Sequence, residues 1–324
     1  MSMSRLLAAL ILSLSLVAAG CGGQKEESGG GASKRLSIAT GNTTGVYYQL
    51  GGAMARLASK ETDFRVSASE TGASAQNIKL VVAGEQDIGF SLLDTASDAV
   101  KGEAGFDGQK QDIQAMMGLY PNYTHVVVRK DSGISSIADM KGKRVSTGSP
   151  QSGTEVIAER LLEAGGVDPE EDIERQRLEL GKTVEAMKDG SIDALFWSGG
   201  LPTPGIEDLF TSQKGKVELL DTSSQLPALQ KEFGDVYEDS EIPSGTYPGA
   251  DAAPSIRVQN VLVVPKDFDP ATAKELAALF LKQQPELAKA VPAAKDLSPK
   301  SAQDTAPLEL NSGAKEAIDA AGSK

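Results

Sequence analysis

The chain has 324 residues, with 32 Lys+Arg against 45 Asp+Glu, one histidine and one cysteine. A net charge of −13 argues against a nucleic-acid partner. One histidine and one cysteine cannot build the ligand cluster of a zinc hydrolase or a disulfide framework, so neither metal nor cofactor is expected.

Residues 1–20 hold a single basic residue, Arg5, and an apolar run over 6–19, which reads as a secretory signal too short for a comfortable membrane span. Small residues then precede Cys21 and resemble a bacterial lipobox. That implies cleavage before Cys21 and a lipid on its sulfur, the alternative being an ordinary signal with a stray cysteine. Residues 21–34, rich in Gly, Ser and charge, read as the lipidated cysteine and a flexible tether.

Residues 36–58 set the pattern for the rest of the chain: a short buried strand, a turn of Gly41, Asn42, Thr43, Thr44 and Gly45, and a helix carrying Val46, Leu50, Met54 and Leu57 at helical spacing. Thr43 or Thr44 is the expected N-cap. A bare helix N-terminus presents unpaired N–H groups, which suits a carboxylate, although strand-to-helix turns carry such residues for their geometry alone. Residues 145–162 repeat the design with Thr147-Gly148, Ser152-Gly153 and a helix, and Ser152 and Glu155 have capping-box spacing. Two matched turns predict two α/β lobes whose helix N-termini converge on one cleft.

Between the two turns, strands are expected at 64–69, 87–90 and 114–119, the last ending at Tyr120-Pro121, with helices opening at 74 and 93. This β-α alternation predicts a mostly parallel sheet with its ligand end at the strand C-termini. Ser74 and Asn77 belong at that end, either as ligand contacts or as cap and surface residues. Residues 124–129 form a β-rich run and a first crossing between lobes, and the lone His125 within it is a packing or hinge residue. Further on come a short helix at 137–141, a strand at 177–180, a helix at 183–188 and a strand at 193–197 running into Ser198-Gly199-Gly200. Trp197 there is either core or an aromatic wall of the cleft. A strand at 217–220, a helix at 226–233, a turn region at 242–249, a second crossing at 257–264 and two helices near 270–283 and 285–291 complete the reading. The lobes are then 35–122 plus 258–324, and 123–257.

An enzyme is not expected. The first glycine turn continues as Val46-Tyr47 rather than as G-K-[ST], and no G-x-S-x-G serine elbow occurs.

The segments ATGNTTGVYYQLGGAMA, ETGAS with Asn77, HVVVRKDSGI with DMKGKRVSTG, GSPQSGT, AMKDGSIDALFWSGGLPTP, IPSGTYPG and NVLVV, in this order, resemble the TAXI family of TRAP-transporter solute-binding proteins. The resemblance implies an α/β, two-lobed type II periplasmic-binding-protein-like fold with a hinged central cleft. It implies no catalysis, and delivery of a small anionic solute, such as glutamate or another dicarboxylic or 2-oxo acid, to an ion-coupled permease. The protein would be a monomer held by the lipid on Cys21 at the outer face of the cytoplasmic membrane. An ABC-type permease or a membrane sensor is the alternative output. Gly41, Asn42, Thr43, Thr44, Gly45, Tyr47 and Tyr48 match one ligand-facing loop of the family, and Ser149, Ser152, Gly153 and Thr154 match another. Trp197 and Gly199 match less closely. A departure at Leu92-Leu93, where similar sequences are polar, suggests a less polar acid. Arg65, Arg144, Lys182 and Arg257 are possible counterions or plain surface cations.

Overall fold

The computed structural model describes residues 34–323. The expected signal, lipidated Cys21 and nearly all of the tether lie outside the described residues. Among the described residues no helix is long and apolar enough to cross a membrane.

Ten strands form one mixed sheet: β1 (Arg35–Ala39), β2 (Arg65–Ser69), β3 (Ile88–Leu92), β4 (Ile113–Arg129), β5 (Arg144–Ser146), β6 (Glu174–Gln176), β7 (Ala194–Gly199), β8 (Val217–Leu219), β9 (Glu238–Ile242) and β10 (Ala253–Pro265). The path β2-β1-β3-β10-β4-β7-β5-β6 has a parallel trio at each end, β2-β1-β3 and β7-β5-β6, joined by the antiparallel pair β10-β4. β4 pairs with β10 through Ile113–Tyr123 and with β7 through Tyr123–Val128. The expected boundaries at 122/123 and 257/258 therefore fall inside two strands that run through both halves.

Each trio carries helices on its faces. The first has α1 (Val46–Glu61), α2 (Ser74–Val82) and α3 (Leu93–Lys101), and the second has α4 (Gly153–Ala164), α5 (Leu180–Asp189), α6 (Pro204–Ser212) and α7 (Leu226–Phe233). The chain returns through α8 (Pro270–Lys282), α9 (Gln284–Ala290), α10 (Pro299–Gln303) and α11 (Ser312–Gly322) onto the first half. Val46, Leu50, Met54 and Ala58 bury the inner stripe of α1 against Leu36, Ile38, Ile88 and Phe90. Each large apolar side chain so buried stabilises by about 1.5–3 kcal/mol.

Four elements differ from the sequence expectation. The strand expected to stop at Tyr120-Pro121 continues to Arg129, because Pro121 stands opposite Gln259 where the β10 register shifts, and a proline without an N–H is tolerated there. The strand expected at 177–180 is instead β6, three residues earlier. Glu179 accepts the Gly181 and Lys182 N–H groups and so starts α5 at Leu180. Neither β9 nor α11 is expected from the sequence: the acidic β9 carries little apolar alternation, and the buried stripe of α11 is made of the small Ala314 and Ala317 with only Ile318 as a large apolar residue. β9 is held by pairing with β10, and α11 is started by Asn311, whose side chain accepts from Gly313 and Ala314. Gly118 is required by packing, since a Cβ there would lie 2.1 Å from the Ser301 carbonyl oxygen.

His125 is fully buried in β4, in agreement with a packing role. Its Nδ1 faces the Tyr123 carbonyl oxygen at 3.0 Å, which can only accept, so Nδ1 carries the proton and Nε2 accepts the Tyr247 hydroxyl at 2.8 Å. Burial lowers its pKa to about 4, against two backbone contacts that raise it. The fold thus holds neutral histidine: below about pH 6.5 the unfolded chain takes up a proton that the folded chain refuses until about pH 4, so stability falls as pH falls across that window. Between pH 6.5 and 5.0 the wild type should lose about 2 kcal/mol more than His125→Gln, which keeps a donor and an acceptor but does not titrate. Urea unfolding at the two pH values checks this, and parallel losses in both proteins would refute it.

Candidate functional site

The C-terminal ends of β1, β3, β5 and β7 meet around one cavity. Its wall comprises Gly41, Asn42, Gly45, Val46 and Tyr47 after β1, Ala73 and Ser74 at the start of α2, and Leu92 at the end of β3. Tyr120 and Asn122 of β4, Ser149, Ser152, Gly153 and Thr154 after β5, and Trp197, Ser198 and Gly199 of β7 close it. About 30 Å3 is open to the centre of a water-sized sphere. The space is that of a small solute and not of a macromolecule.

The two matched turns face each other across the cavity. Ser149 Oγ lies 3.4 Å from Asn42 Oδ1, which also accepts the Leu180 N–H at 3.3 Å. The Gln151 carbonyl oxygen accepts the Ala75 and Gln76 N–H groups at 3.1 and 3.2 Å, so the second turn satisfies the open end of α2. Ala73 at that end has φ of 82° and ψ of −145°, a conformation that costs of order 1–3 kcal/mol in a residue with a Cβ. The second turn is braced from behind, where Glu155 accepts the Gln151 N–H at 2.7 Å and pairs with Arg175 and Arg177.

Donors dominate the wall. α1 begins after Gly45 with no side-chain cap, leaving its first-turn N–H groups at the cavity. Ser74 Oγ accepts the Leu92 N–H at 3.1 Å, Ser152 Oγ accepts the Glu155 N–H at 3.0 Å and Thr154 Oγ1 accepts the Ser198 N–H at 3.2 Å. Each hydroxyl is fixed by the bond it accepts; the hydrogens of Ser152 and Thr154 are left to donate, and that of Ser74 is shared with the neighbouring Tyr47 hydroxyl. Burial raises the Tyr120 hydroxyl pKa and keeps it protonated. Tyr120 Oη and Asn122 Oδ1 are buried without a protein partner, while the Asn122 amide nitrogen donates to Ser198 Oγ. No residue of the wall carries a charge. Of the four cations weighed from the sequence, Arg144 pairs with Asp193, Arg257 pairs with Glu238, and Arg65 and Lys182 are exposed.

Eleven of the residues singled out from the sequence line this cavity: Gly41, Asn42, Gly45, Tyr47, Ser74, Ser149, Ser152, Gly153, Thr154, Trp197 and Gly199. Four do not. Thr43 and Tyr48 face an outer depression beside Arg56 and Lys60, because the helix starts at Val46 and the N-cap is Gly45 rather than a threonine. Thr44 stands behind the turn with a buried hydroxyl. Asn77 lies below the wall, its amide donating to the Thr40 and Phe90 carbonyl oxygens at 2.6 and 2.8 Å, and so ties β1 to β3. Trp197 is half-buried, donates from Nε1 to Thr203 Oγ1 at 3.1 Å and forms the aromatic wall. A Cβ on Gly45 would approach its ring to 3.3 Å. Tyr120 and Asn122 were not singled out, although alternation through Pro121 puts both on one face of the strand.

A model of the NMT1-like family matches residues 38–319, and the chain belongs to that family. Among solved structures, similarity extends to a protein from Bordetella bronchiseptica RB50, with TM-score 0.57, 18% identity and coverage of 88% of this chain and 97% of that one. A binding-protein component of an ABC phosphonate transporter from Pseudomonas aeruginosa has TM-score 0.57, 15% identity and coverage of 82% and 80%. An ABC uptake transporter substrate-binding protein from Streptococcus pneumoniae, solved with bound histidine, has TM-score 0.51, 12% identity and coverage of 82% and 94%. The fold is accordingly the α/β, two-lobed type II form of periplasmic binding proteins.

Proposed function

We propose that this protein is the extracytoplasmic solute-binding subunit of an importer, and that it captures a small carboxylic acid between two lobes, 35–122 plus 258–324 and 123–257. The observation that carries the reading is the convergence of an uncapped helix N-terminus, three oriented hydroxyls and two buried unpartnered polar atoms on one cavity at the strand ends. In an open form the solute meets the donors of one lobe; closure adds those of the other and excludes water, so the solute selects the closed form by its extra contacts.

The ordered motifs favour an ion-coupled TRAP-type permease as partner, with the lipid on Cys21 holding the protein at the membrane. The ABC components among the structural neighbours favour an ATP-driven one. Uptake by proteoliposomes holding this protein together with a candidate permease of either kind separates the two: dependence on an ion gradient supports the first, dependence on ATP the second.

Tyr120→Phe tests the cavity itself. It removes a buried hydroxyl that has no protein partner, so the unfolding free energy should stay level or rise, while solute affinity falls by about 0.5–1.5 kcal/mol, or roughly 3–10-fold. Thermal-shift screening of mono- and dicarboxylates supplies the solute, which at a hundred times its dissociation constant should add about 2.7 kcal/mol of stability. Unchanged affinity in Tyr120→Phe would move the site elsewhere.

A further inference from the structure

The geometry points to a solute with one carboxylate and a largely apolar remainder bearing one hydrogen-bond donor, a monocarboxylate such as a hydroxy acid, rather than a dicarboxylate. This rests on the reading of the cavity as an acid-binding site and goes further by fixing the charge of its ligand.

Three observations carry it. A carboxylate has partners in the first turn of α1 and in the Ser74, Ser152, Thr154 and Tyr120 hydroxyls, all neutral donors that together suit one buried negative charge. A second carboxylate has none: the first takes up these neutral donors, and no lining residue is cationic to compensate another buried charge. Beside the polar Asn42, Asn122, Ser149 and Ser198, the wall presents the apolar surfaces of Val46, Ala73, Leu92 and the Trp197 ring, which match hydrocarbon.

The charge behind the wall has the same sense. Two residues beyond Leu92, Asp94 begins a buried group in which Asp94 and Asp98 face the single guanidinium of Arg160. With two carboxyl groups to one guanidinium, this group has no spare positive charge to offer a second carboxylate. The donor in the ligand is called for by Asn122 Oδ1, which is wholly buried at the wall, accepts nothing from the protein, and is oriented by the hydrogen bond that the Asn122 amide nitrogen donates to Ser198 Oγ.

Calorimetric titration of the full-length protein in mild detergent with five-carbon pairs tests the inference: pentanoate against glutarate, 2-oxopentanoate against 2-oxoglutarate, and 2-hydroxypentanoate against 2-hydroxyglutarate. The monocarboxylate of each pair should bind at least about tenfold tighter, with 2-hydroxypentanoate tightest of all. Equal or tighter binding of the dicarboxylates would overturn the inference while leaving acid capture standing. Tighter binding of 2-oxopentanoate than of its hydroxy counterpart would overturn the donor requirement. If none of the six acids binds while a neutral or cationic solute does, acid capture and the inference fail together.

Discussion

Arg160→Ala is expected to lower the free energy of unfolding by about 3–5 kcal/mol, the usual consequence of stranding buried charge. Arg160 projects from α4 toward α3, and its side chain is 8% exposed. Nη2 donates to Asp98 at 2.7 Å, Nη1 donates to the Tyr237 hydroxyl at 2.9 Å, and Tyr237 in turn donates to Asp94 at 2.7 Å. The guanidinium lies 3.7 Å from the centroid of the Phe233 ring. Burial works against its charge, but Tyr237, Asp94 and Asp98 outweigh burial and keep it protonated. Alanine would leave two carboxylates facing each other in a dry site, and neither could reach water without parting the helices. Asp98→Asn should cost far less, because burial already raises the Asp98 pKa against the pull of Arg160, and an amide still offers an acceptor. Adding Asp98→Asn to Arg160→Ala should therefore recover part of the loss. Urea unfolding of the three variants measures it, and a loss below about 1 kcal/mol for Arg160→Ala would show that the group is wet or loosely packed.

Arg160 also marks where sequence reading stops. Its partners lie 62 and 77 residues away for Asp98 and Tyr237, and nothing local in α4 announces them. The cavity turns were legible because their signal is local: Gly, Ser and Thr at a strand end followed by helical periodicity have few alternative conformations. The Ser152 cap was legible for the same reason, yet Glu155 uses its carboxylate on the Gln151 N–H and on two arginines, a choice set by tertiary neighbours. Tyr120 and Asn122 were hidden by Pro121, which reads as the end of a strand unless the register of β10 is known. Tyr47 and Tyr48 are indistinguishable by composition. One helical step of about 100° separates the cavity from solvent, and it was decided by Gly45 capping the helix in place of Thr44.

Gly153→Leu is expected to leave the fold intact and weaken solute binding by about 3 kcal/mol or more, a loss of about a hundredfold. Gly153 opens α4 in the second half of the molecule. A Cβ there would lie 2.5 Å from Leu92 Cδ1 and 2.7 Å from Ser74 Oγ, both of the first half. The overlap is therefore between halves and not within one, and it can be relieved by holding them apart. Stability measured without solute should change little, since Gly153 is the first helical residue and the leucine side chain would project into the cleft. Binding should suffer, because the donors of α1 and α4 can no longer reach the same carboxylate. The added Leu92→Ala change clears the nearest obstruction and should restore much of the affinity, which a merely damaged helix would not allow. Solution scattering gives the second readout: with saturating solute the wild type should contract and Gly153→Leu should not. Full affinity in Gly153→Leu would mean that the solute is held without closure of the two halves.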